Sequence, residues 1–301
     1  MHWASVLVYF DGADDGADSL RSRVTRMTRS TSFYFSFLAL PAPKRRAITA
    51  VFDFCRAVDD AVDLETDAER IQAALFLWRG EVARVFTGGT PETDEGRQLQ
   101  PFVGPHHLPR EHFDALVDGV AMDAAGVRYR TFADLEPYCH RVASAVGLIC
   151  AEIFEYRERG VLDYARDLGV ALQLTNILRD VGVDFQNGRR YLPDEDLSRF
   201  GCTWEDVRRE VEGAGQGVRS NAVRALLEFE AQRARTFFAK AVSALPRRDA
   251  RRFVPAEIMR SVYWELLQRI ERANFDVFTE VARVPRPVQA RLAIVTWWRT
   301  R

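Results

Sequence analysis

The sequence predicts an all-α, single-domain fold, a helical bundle around a central cavity. Three observations predict it. Apolar residues recur three or four residues apart in most segments, and the chain shows no alternating strand pattern and no internal repeat. Glycine and proline separate these segments. Two acidic clusters with helical spacing lie roughly 120 residues apart, and bundles build sites between facing helices in this way.

Prolines and glycines predict where the helices begin and end. Pro43 suits a first helical turn, and the pairs Gly88-Gly89 and Asn187-Gly188 suit helix ends. The predicted helices cover residues 44–64, 67–86, 110–123, 131–156, 162–185, 204–211, 218–245, 256–281 and 288–298.

The remaining segments are predicted to be irregular. The stretch before residue 110 carries Pro101, Gly104 and Pro105 and is predicted to be a loop. Residues 1–18 end in a turn-rich acidic run and are predicted to be an N-terminal extension, which leaves residues 19–301 as the single domain.

Composition excludes several classes of protein. Hydrophobic residues make up 47% of the 301 residues, enough for a large core, and 42 Lys and Arg against 43 Asp and Glu offer no case for nucleic-acid binding. Four cysteines without CxxC spacing indicate reduced thiols, and the five histidines form no plausible triad or zinc site. The cysteine pattern favours a cytoplasmic protein, and no apolar run reaches the length of a membrane span.

The prediction of function starts from the stretch that contains Asn176, Asp180 and Asp184. These residues stand four apart, so on a helix they drift by only about 40° per step and share one face. Leu174 and Ile177 point elsewhere and can pack. Oxygen ligands on an apolar helix are costly to bury unless a cation occupies them. The hard, oxygen-seeking cation that leaves room for a phosphate is Mg²⁺.

A second acidic cluster lies upstream. Asp59 and Asp63 share a helix face at the same spacing, with Asp60 beside them, and Val58 and Val62 keep the segment partly buried. One such run alone is more often a solvated helix face. Because two runs occur together, each among apolar residues, we expect them to hold several Mg²⁺ ions that bridge to a diphosphate.

The chemistry of diphosphates fits the neighbouring residues. Diphosphate leaves readily only when its charge is neutralised, and Arg56, Arg189 and Arg190 stand beside the acidic clusters. The carbocation that remains needs a dry site with aromatic faces, and the chain holds 20 phenylalanines.

Two further stretches can each be interpreted in two ways, as packed segments or as parts of a binding site. Residues 30–37 combine hydroxyls with aromatics; composition favours a packed segment, and hydroxyl donors beside a phosphate are the alternative. Small residues at 143–147 make one helix surface thin, which suits either close helix packing, the commoner case, or space for a ligand.

At these residues the chain resembles the squalene/phytoene synthase family of head-to-head prenyl transferases. The resemblance spans roughly residues 27–298. Stretches 33–38 and 147–154 look most like the presqualene diphosphate synthases of bacterial hopanoid pathways. The stretches that carry the family resemblance are 32–33, 54–63, 138–143, 173–184 and 188–193.

The resemblance implies a fold and a set of roles. The fold would be an isoprenoid-synthase-type helical bundle. Two positions depart from the family pattern: Phe52 stands where a tyrosine is frequent, and Arg29 stands where some members have histidine. The implied metal ligands are Asp59, Asp60, Asp63, Asn176, Asp180 and Asp184, of which Asp59, Asp63, Asp180 and Asp184 would be catalytic. The implied substrate-binding residues are Ser30, Ser32, Arg56, Arg189 and Tyr191 at phosphate oxygens and Phe33, Phe37, Tyr138, Gln173 and Tyr263 along the cavity, with Asn176 serving substrate and metal.

The implied reaction condenses two farnesyl diphosphates to presqualene diphosphate, with Mg²⁺ as cofactor and later enzymes of the squalene or hopanoid pathway as partners. No residue is an obvious base. NADPH is not expected, because the sequence has no Gly-rich dinucleotide fingerprint. Family members that use NADPH need not carry that fingerprint. Squalene, dehydrosqualene or phytoene synthesis and a non-catalytic scaffold role are the alternatives. Peripheral contact with the inner membrane face stays open.

Overall fold

The computed structural model of the protein describes residues 36–37, 40–63, 65, 67–217 and 220–300. Throughout these ranges the regular elements are helices and no β-strand occurs, so the predicted all-α class is confirmed. The helices are α1 (Ala42–Asp63), α2 (Ala68–Thr87), α3 (Asp94–Val103), α4 (Arg110–Ala124), α5 (Phe132–Cys139), α6 (Ala145–Phe154), α7 (Gly160–Gln186), α8 (Asp194–Arg199), α9 (Trp204–Glu212), α10 (Asn221–Ala244), α11 (Val254–Arg272) and α12 (Arg286–Arg299).

Local capping explains many of these boundaries. The Asp67 carboxylate accepts the backbone N–H groups of Glu69 and Arg70 at 2.9 and 3.1 Å and starts α2. The same helix ends at Gly88, which adopts the left-handed φ of 78°. These are the signals from which the sequence predicted the helix.

The predicted loop before residue 110 is wrong, because it contains α3. Thr93 caps this helix through the Gly96 N–H, and its own N–H and hydroxyl donate to the buried Glu81 carboxylate of α2 at 2.8 and 2.7 Å. A Cβ on Gly96 would lie 2.1 Å from a Glu81 oxygen, so only glycine fits there. Pro101 lies inside α3, although the sequence predicted a loop there. The contact with α2 stabilises the helix despite this proline.

The helix predicted over residues 131–156 is divided by a π-helical turn, His140–Ser144. The Ser144 hydroxyl donates to the Arg166 carbonyl of α7 at 2.7 Å, and a Cβ on Gly169 would come within 2.5 Å of the Ser144 Cα. The turn thus touches the α7 backbone. Two other predictions also differ: α8 was not foreseen, and α11 ends at Arg272, well before residue 281.

Helix α7 is the centre of the molecule. It packs against α10, the π-turn, α6 and α11, and most of its residues are buried on every side. One continuous apolar core joins these helices to α1, α2 and α4, and a small separate cluster joins α11 to α12. Within the described ranges, none of the helices combines the length and apolar character needed to cross a lipid bilayer.

Candidate functional site

An apolar cavity lies between α1 and α7, with an empty volume of about 810 Å³ that is partly open to solvent. Ile48 and Phe52 of α1 form one wall. In the described part of the chain these two helices do not form an extended packing interface, so the cavity separates them. The α7 wall consists of Tyr164, Ala165, Leu168, Gly169, Leu172, Gln173 and Asn176. This wall spans about 18 Å at 1.5 Å per residue.

Small residues bring the third wall close. Gly147 of α6 lines the cavity, and a Cβ on it would lie 2.9 Å from the Ala165 carbonyl oxygen of α7. Ala143 of the π-turn lines it as well. Both interpretations of the small-residue stretch therefore hold: it allows close packing on α7 and leaves space beside it.

Aromatic rings close the end of the cavity far from Asn176. The Phe253 ring lies edge-on to Phe154 and to Tyr164, with centroid distances of 5.2 and 5.7 Å. The Tyr164 hydroxyl donates to the buried Glu257 carboxylate at 2.9 Å, which holds this ring in place. We call Phe154, Tyr164 and Phe253 the aromatic floor.

At the opposite end the acidic column of α7 is buried. Asn176, Asp180 and Asp184 are each 6% exposed or less. Arg179 donates to both Asp180 oxygens at 2.8 and 2.5 Å, so this carboxylate is neutralised by its neighbour in the chain. Burial, together with the charge of Asp180, raises the pKa of Asp184 well above its ordinary value.

The upstream acids divide into buried and exposed groups. Asp59 is buried, and its burial, with the charges of Asp63 and Asp123, raises its pKa. Burial also opposes ionisation of Asp63, but the hydrogen bond and charge of Arg189 outweigh it, so the pKa of Asp63 is lowered. Asp60 is different: its side chain is 38% exposed and pairs with Arg56 at 3.3 Å.

The end of α7 places Arg189 opposite α1. The Arg189 N–H bonds to the Asp184 carbonyl at 2.8 Å, the Gly188 N–H bonds to the Phe185 carbonyl at 3.0 Å, and Gly188 has φ 76°. This is a Schellman motif, the helix end that Asn187-Gly188 predicted. It directs Arg189 to Asp63, whereas the next residue, Arg190, lies over the Phe185 ring at 5.6 Å.

A further acid, Asp123 at the end of α4, was not predicted from the sequence. The hydroxyls of Tyr138 and Tyr191 donate to its two oxygens at 2.9 and 2.6 Å. Burial raises the pKa of Asp123 to about 6, although the Tyr191 bond and Arg189 work in the opposite direction. Asp123 is a single acid without a partner at helical spacing, so no local signal identified it.

The two acidic helices face a common region. Arg189 and Asp123 act electrostatically on both Asp59 of α1 and Asp184 of α7. The ion pair between Arg189 and Asp63 joins the end of one helix to the other across the space between them. This geometry agrees with the predicted pair of facing acidic helices.

The buried polar atoms near this region that lack partners in the described part of the chain suit magnesium and phosphate. Among the described residues, Asp59 Oδ2, Asn176 Oδ1 and Arg189 Nη1 are buried without a hydrogen-bond partner. Carboxylate and amide oxygens are ligands for Mg²⁺, and a guanidinium N–H binds phosphate oxygen. Within the described ranges, no three His, Cys, Asp or Glu side chains converge on one point. The unpartnered oxygens of Asp59 and Asn176 suit a hard divalent cation, and the unpartnered Arg189 nitrogen suits a phosphate oxygen.

The other predicted site residues divide into three groups. Phe37, Gln173 and Tyr263 line the cavity as expected. Tyr138 does not line this cavity; it is buried beside Tyr191, with ring centroids 5.3 Å apart, because its hydroxyl is bound to Asp123. The predicted residues Ser30, Ser32 and Phe33 lie outside the described residues.

Comparison with known proteins identifies the family. Residues 27–289 match the family described as squalene/phytoene synthase. The chain is 37% identical over 268 residues to the 15-cis-phytoene synthase of Synechococcus elongatus, covering 84% of each chain. It is equally identical, at 37% over 248 residues, to the presqualene diphosphate synthase of Rhodopseudomonas palustris, covering 81% of this chain and 85% of the relative.

A solved structure shows the same fold. A dehydrosqualene synthase in complex with a ligand superposes with a TM-score of 0.78 at 27% identity, covering 91% of this chain and 93% of that one. The family match covers most of the chain, and the sites described above lie inside it. The protein therefore belongs to the squalene/phytoene synthase family.

Proposed function

We propose that this protein condenses two molecules of farnesyl diphosphate, head to head, to presqualene diphosphate and diphosphate, as a step towards squalene and hopanoids. Membership of the family supports the coarser statement, a prenyltransferase that joins prenyl diphosphates head to head. The observation that carries the proposal is the arrangement of the site. Buried acids and arginines stand at one end of an apolar cavity that runs along α7 to an aromatic floor.

The charged end is suited to the diphosphates. Asp59 and Asp63 would hold Mg²⁺ from α1, with Asp60 in support, and Asn176, Asp180 and Asp184 would hold it from α7. Bound magnesium neutralises the diphosphate and makes it a better leaving group. Arg189 supports this end because one of its guanidinium nitrogens is without a partner in the described part of the chain. Arg56, Ser30 and Ser32 complete the proposed phosphate contacts. Tyr191 is not among them, because its hydroxyl donates its proton to Asp123.

The cavity is suited to the prenyl chains. Phe37, Phe52 and Tyr263 line its walls, where an allylic cation would gain from aromatic quadrupoles and from the exclusion of water. One farnesyl diphosphate loses diphosphate by cleavage of its C1–O bond, and the electron pair leaves with the oxygen. The C2=C3 bond of the second molecule attacks that C1, and loss of a proton closes the cyclopropane.

Asp123 is the protein's candidate for taking up that proton. Its pKa of about 6 leaves it ionised at neutral pH, and two tyrosine hydroxyls connect it to its surroundings. The released diphosphate is the other acceptor that the chemistry allows.

The aromatic floor favours the shorter, fifteen-carbon substrate, because an extra isoprene unit would have to pass Phe154 and Phe253. Phytoene, squalene or dehydrosqualene synthesis is the alternative, and the phytoene synthase relative is as similar as the presqualene diphosphate synthase. A scaffold role is disfavoured because all six proposed metal ligands are present in the sequence.

Product analysis tests the proposal. The full-length protein is incubated with MgCl₂ and either farnesyl or geranylgeranyl diphosphate, with and without NADPH, and products are identified by mass spectrometry. We expect presqualene diphosphate from the farnesyl substrate in the absence of NADPH. Prephytoene diphosphate or phytoene as the dominant product, or no turnover of either substrate, would show the assignment to be wrong.

A further inference from the structure

Helix α12 carries large apolar side chains on its outer face. Trp298 is 73% exposed and Ile294 61%, and Val295 beside them is also exposed. The inner face is well held: Ala293 packs in a cluster with residues of α11, and the Thr296 and Ser261 hydroxyls are 3.0 Å apart. The helix is therefore fixed on one side, while an apolar stripe faces outward.

Arginines flank this stripe. Residues 281–301 contain five arginines and neither Asp nor Glu, in a chain whose formal net charge is −1. Arg291 and Arg299 are exposed, and each lies four residues from Val295, on the same side of the helix. Tryptophan, an aliphatic residue and arginines together on an exposed face are residue types that bind a lipid headgroup layer.

The position of α12 relates this face to the apolar cavity. An open cleft beside the helix is lined by Trp297, by the basic residues Lys44 and Arg252, and by Phe154 and Pro255. Phe154 and Pro255 also line the apolar cavity, so they separate the cleft from the cavity. The basic, apolar side of the molecule therefore lies next to the aromatic floor.

We propose that the outer face of α12 docks on an anionic lipid bilayer, with Trp298 and Ile294 among the headgroups and Arg291 and Arg299 at lipid phosphates. Charge complementarity favours this partner over a second copy of the chain, because pairing two such faces would bring arginines against arginines. Docking turns the cleft and the far end of the cavity towards the bilayer. The inference does not depend on which prenyl diphosphate the protein uses.

Vesicle flotation without substrate tests the docking face. The full-length protein is mixed with vesicles of phosphatidylcholine alone or with phosphatidylglycerol added. We expect binding to the anionic vesicles that weakens as salt is raised. The double variant Ile294→Glu/Trp298→Glu should bind these vesicles at least about tenfold more weakly, because it removes apolar area and adds negative charge.

A matched control carries the same change on another surface. Phe76 of α2 is 81% exposed, and Phe76→Glu should leave vesicle binding within about twofold of the parent. The pair Arg291→Gln/Arg299→Gln keeps the apolar stripe and should lose mainly the preference for anionic lipid; it also serves if the double glutamate variant does not fold.

Three results would overturn the proposal. The first is no flotation of the parent protein, and the second is unchanged binding of the α12 variants. The third is conversion of a dimer to a monomer by the α12 variants, measured by sedimentation, without any vesicle binding; that result would identify the face as a contact between copies.

Discussion

Asp59 and Asp60 are adjacent in the chain but lie in different surroundings. Asp59 is buried with one oxygen that lacks a partner among the described residues, whereas Asp60 is partly exposed and paired with Arg56. We expect Asp59→Asn to lower the rate of diphosphate release by about 100-fold or more, because it replaces a proposed carboxylate ligand of Mg²⁺ with a neutral amide. The matched change Asp60→Asn should cost about tenfold or less, as exposed ion pairs contribute little. Equal losses in the two variants would contradict the different roles.

Asp123 offers a test through pH. The Tyr191 hydroxyl donates to the ionised carboxylate, which opposes the effect of burial and helps to keep its pKa near 6. In Tyr191→Phe the pKa of Asp123 should rise. If activity needs the ionised carboxylate, the acidic limb of the pH profile then moves to higher pH. The profile of kcat/KM against pH measures this shift. Tyr129→Phe is the control, since Tyr129 stacks on Tyr191 with centroids 6.1 Å apart and no Tyr129–Asp123 hydrogen bond is seen.

At the scale of single elements, the end of α7 determines where Arg189 points. Gly188 has φ 76°, where a side chain is strained. We expect Gly188→Ala to cost about 1 kcal/mol of folding free energy and also to raise KM for the prenyl diphosphate, because the Schellman bonds that direct Arg189 are disturbed. Chemical denaturation and steady-state kinetics measure the two effects. Gly201→Ala, at a positive φ of 64° after α8, is a control expected to affect stability alone.

The contact between α8 and α10 depends on a buried carboxyl group. Glu230 accepts from Arg233 at 2.6 Å, and Arg233 also donates to Asp196 of α8 at 2.8 Å. Burial raises the pKa of Glu230 to about 7, so between pH about 4.5 and 7 the folded protein holds a proton that the unfolded chain has released. The free energy of unfolding should therefore fall as pH rises through this window.

In the variant Glu230→Gln, the free energy of unfolding should decrease less as the pH rises. Between pH 5 and 7.5 the decrease should be smaller than in the parent by about 1–3 kcal/mol. Denaturation curves at the two pH values measure it. Glu228→Gln, an exposed change on the same helix, should leave the pH dependence as it is. A parallel pH dependence in the parent and Glu230→Gln would refute the assignment.

At the scale of the whole molecule, the length of the cavity depends on where α6, α7 and α11 meet. Phe154, Tyr164 and Phe253 close it, and only Tyr164 has a buried hydrogen bond to α11. Phe154→Leu replaces a ring of the aromatic floor with a smaller side chain and should lengthen the cavity. The ratio of kcat/KM for geranylgeranyl diphosphate to that for farnesyl diphosphate should then rise by about tenfold, which is the effect of a few methylenes in an apolar pocket. Tyr164→Phe keeps the ring and removes the hydrogen bond, so it should lower stability by about 1–3 kcal/mol without changing that ratio. Competition between the two substrates, with products separated by mass, decides the outcome.

Much of the helical fold could be predicted from the sequence. Local signals act within a few residues: a column of acids at four-residue spacing, an aspartate that caps α2, and Asn187-Gly188 at the end of α7. Such signals do not depend on the rest of the chain, and they identified both acidic helices. They failed for α3, where a buried contact from Thr93 to Glu81 overrides the proline and glycine signals.

The sequence alone therefore determined the all-α class and the family. It also predicted which carboxylates share a helix face, because helical periodicity and capping are properties of neighbouring residues. Only the tertiary structure decided which of those carboxylates are buried and that Arg189 pairs with Asp63. It also brought Asp123 beside the acidic columns and placed the aromatic floor. These features depend on which helices meet in space, and residues as far apart as Asp63 and Arg189 become partners only when α1 and the end of α7 come together around the cavity.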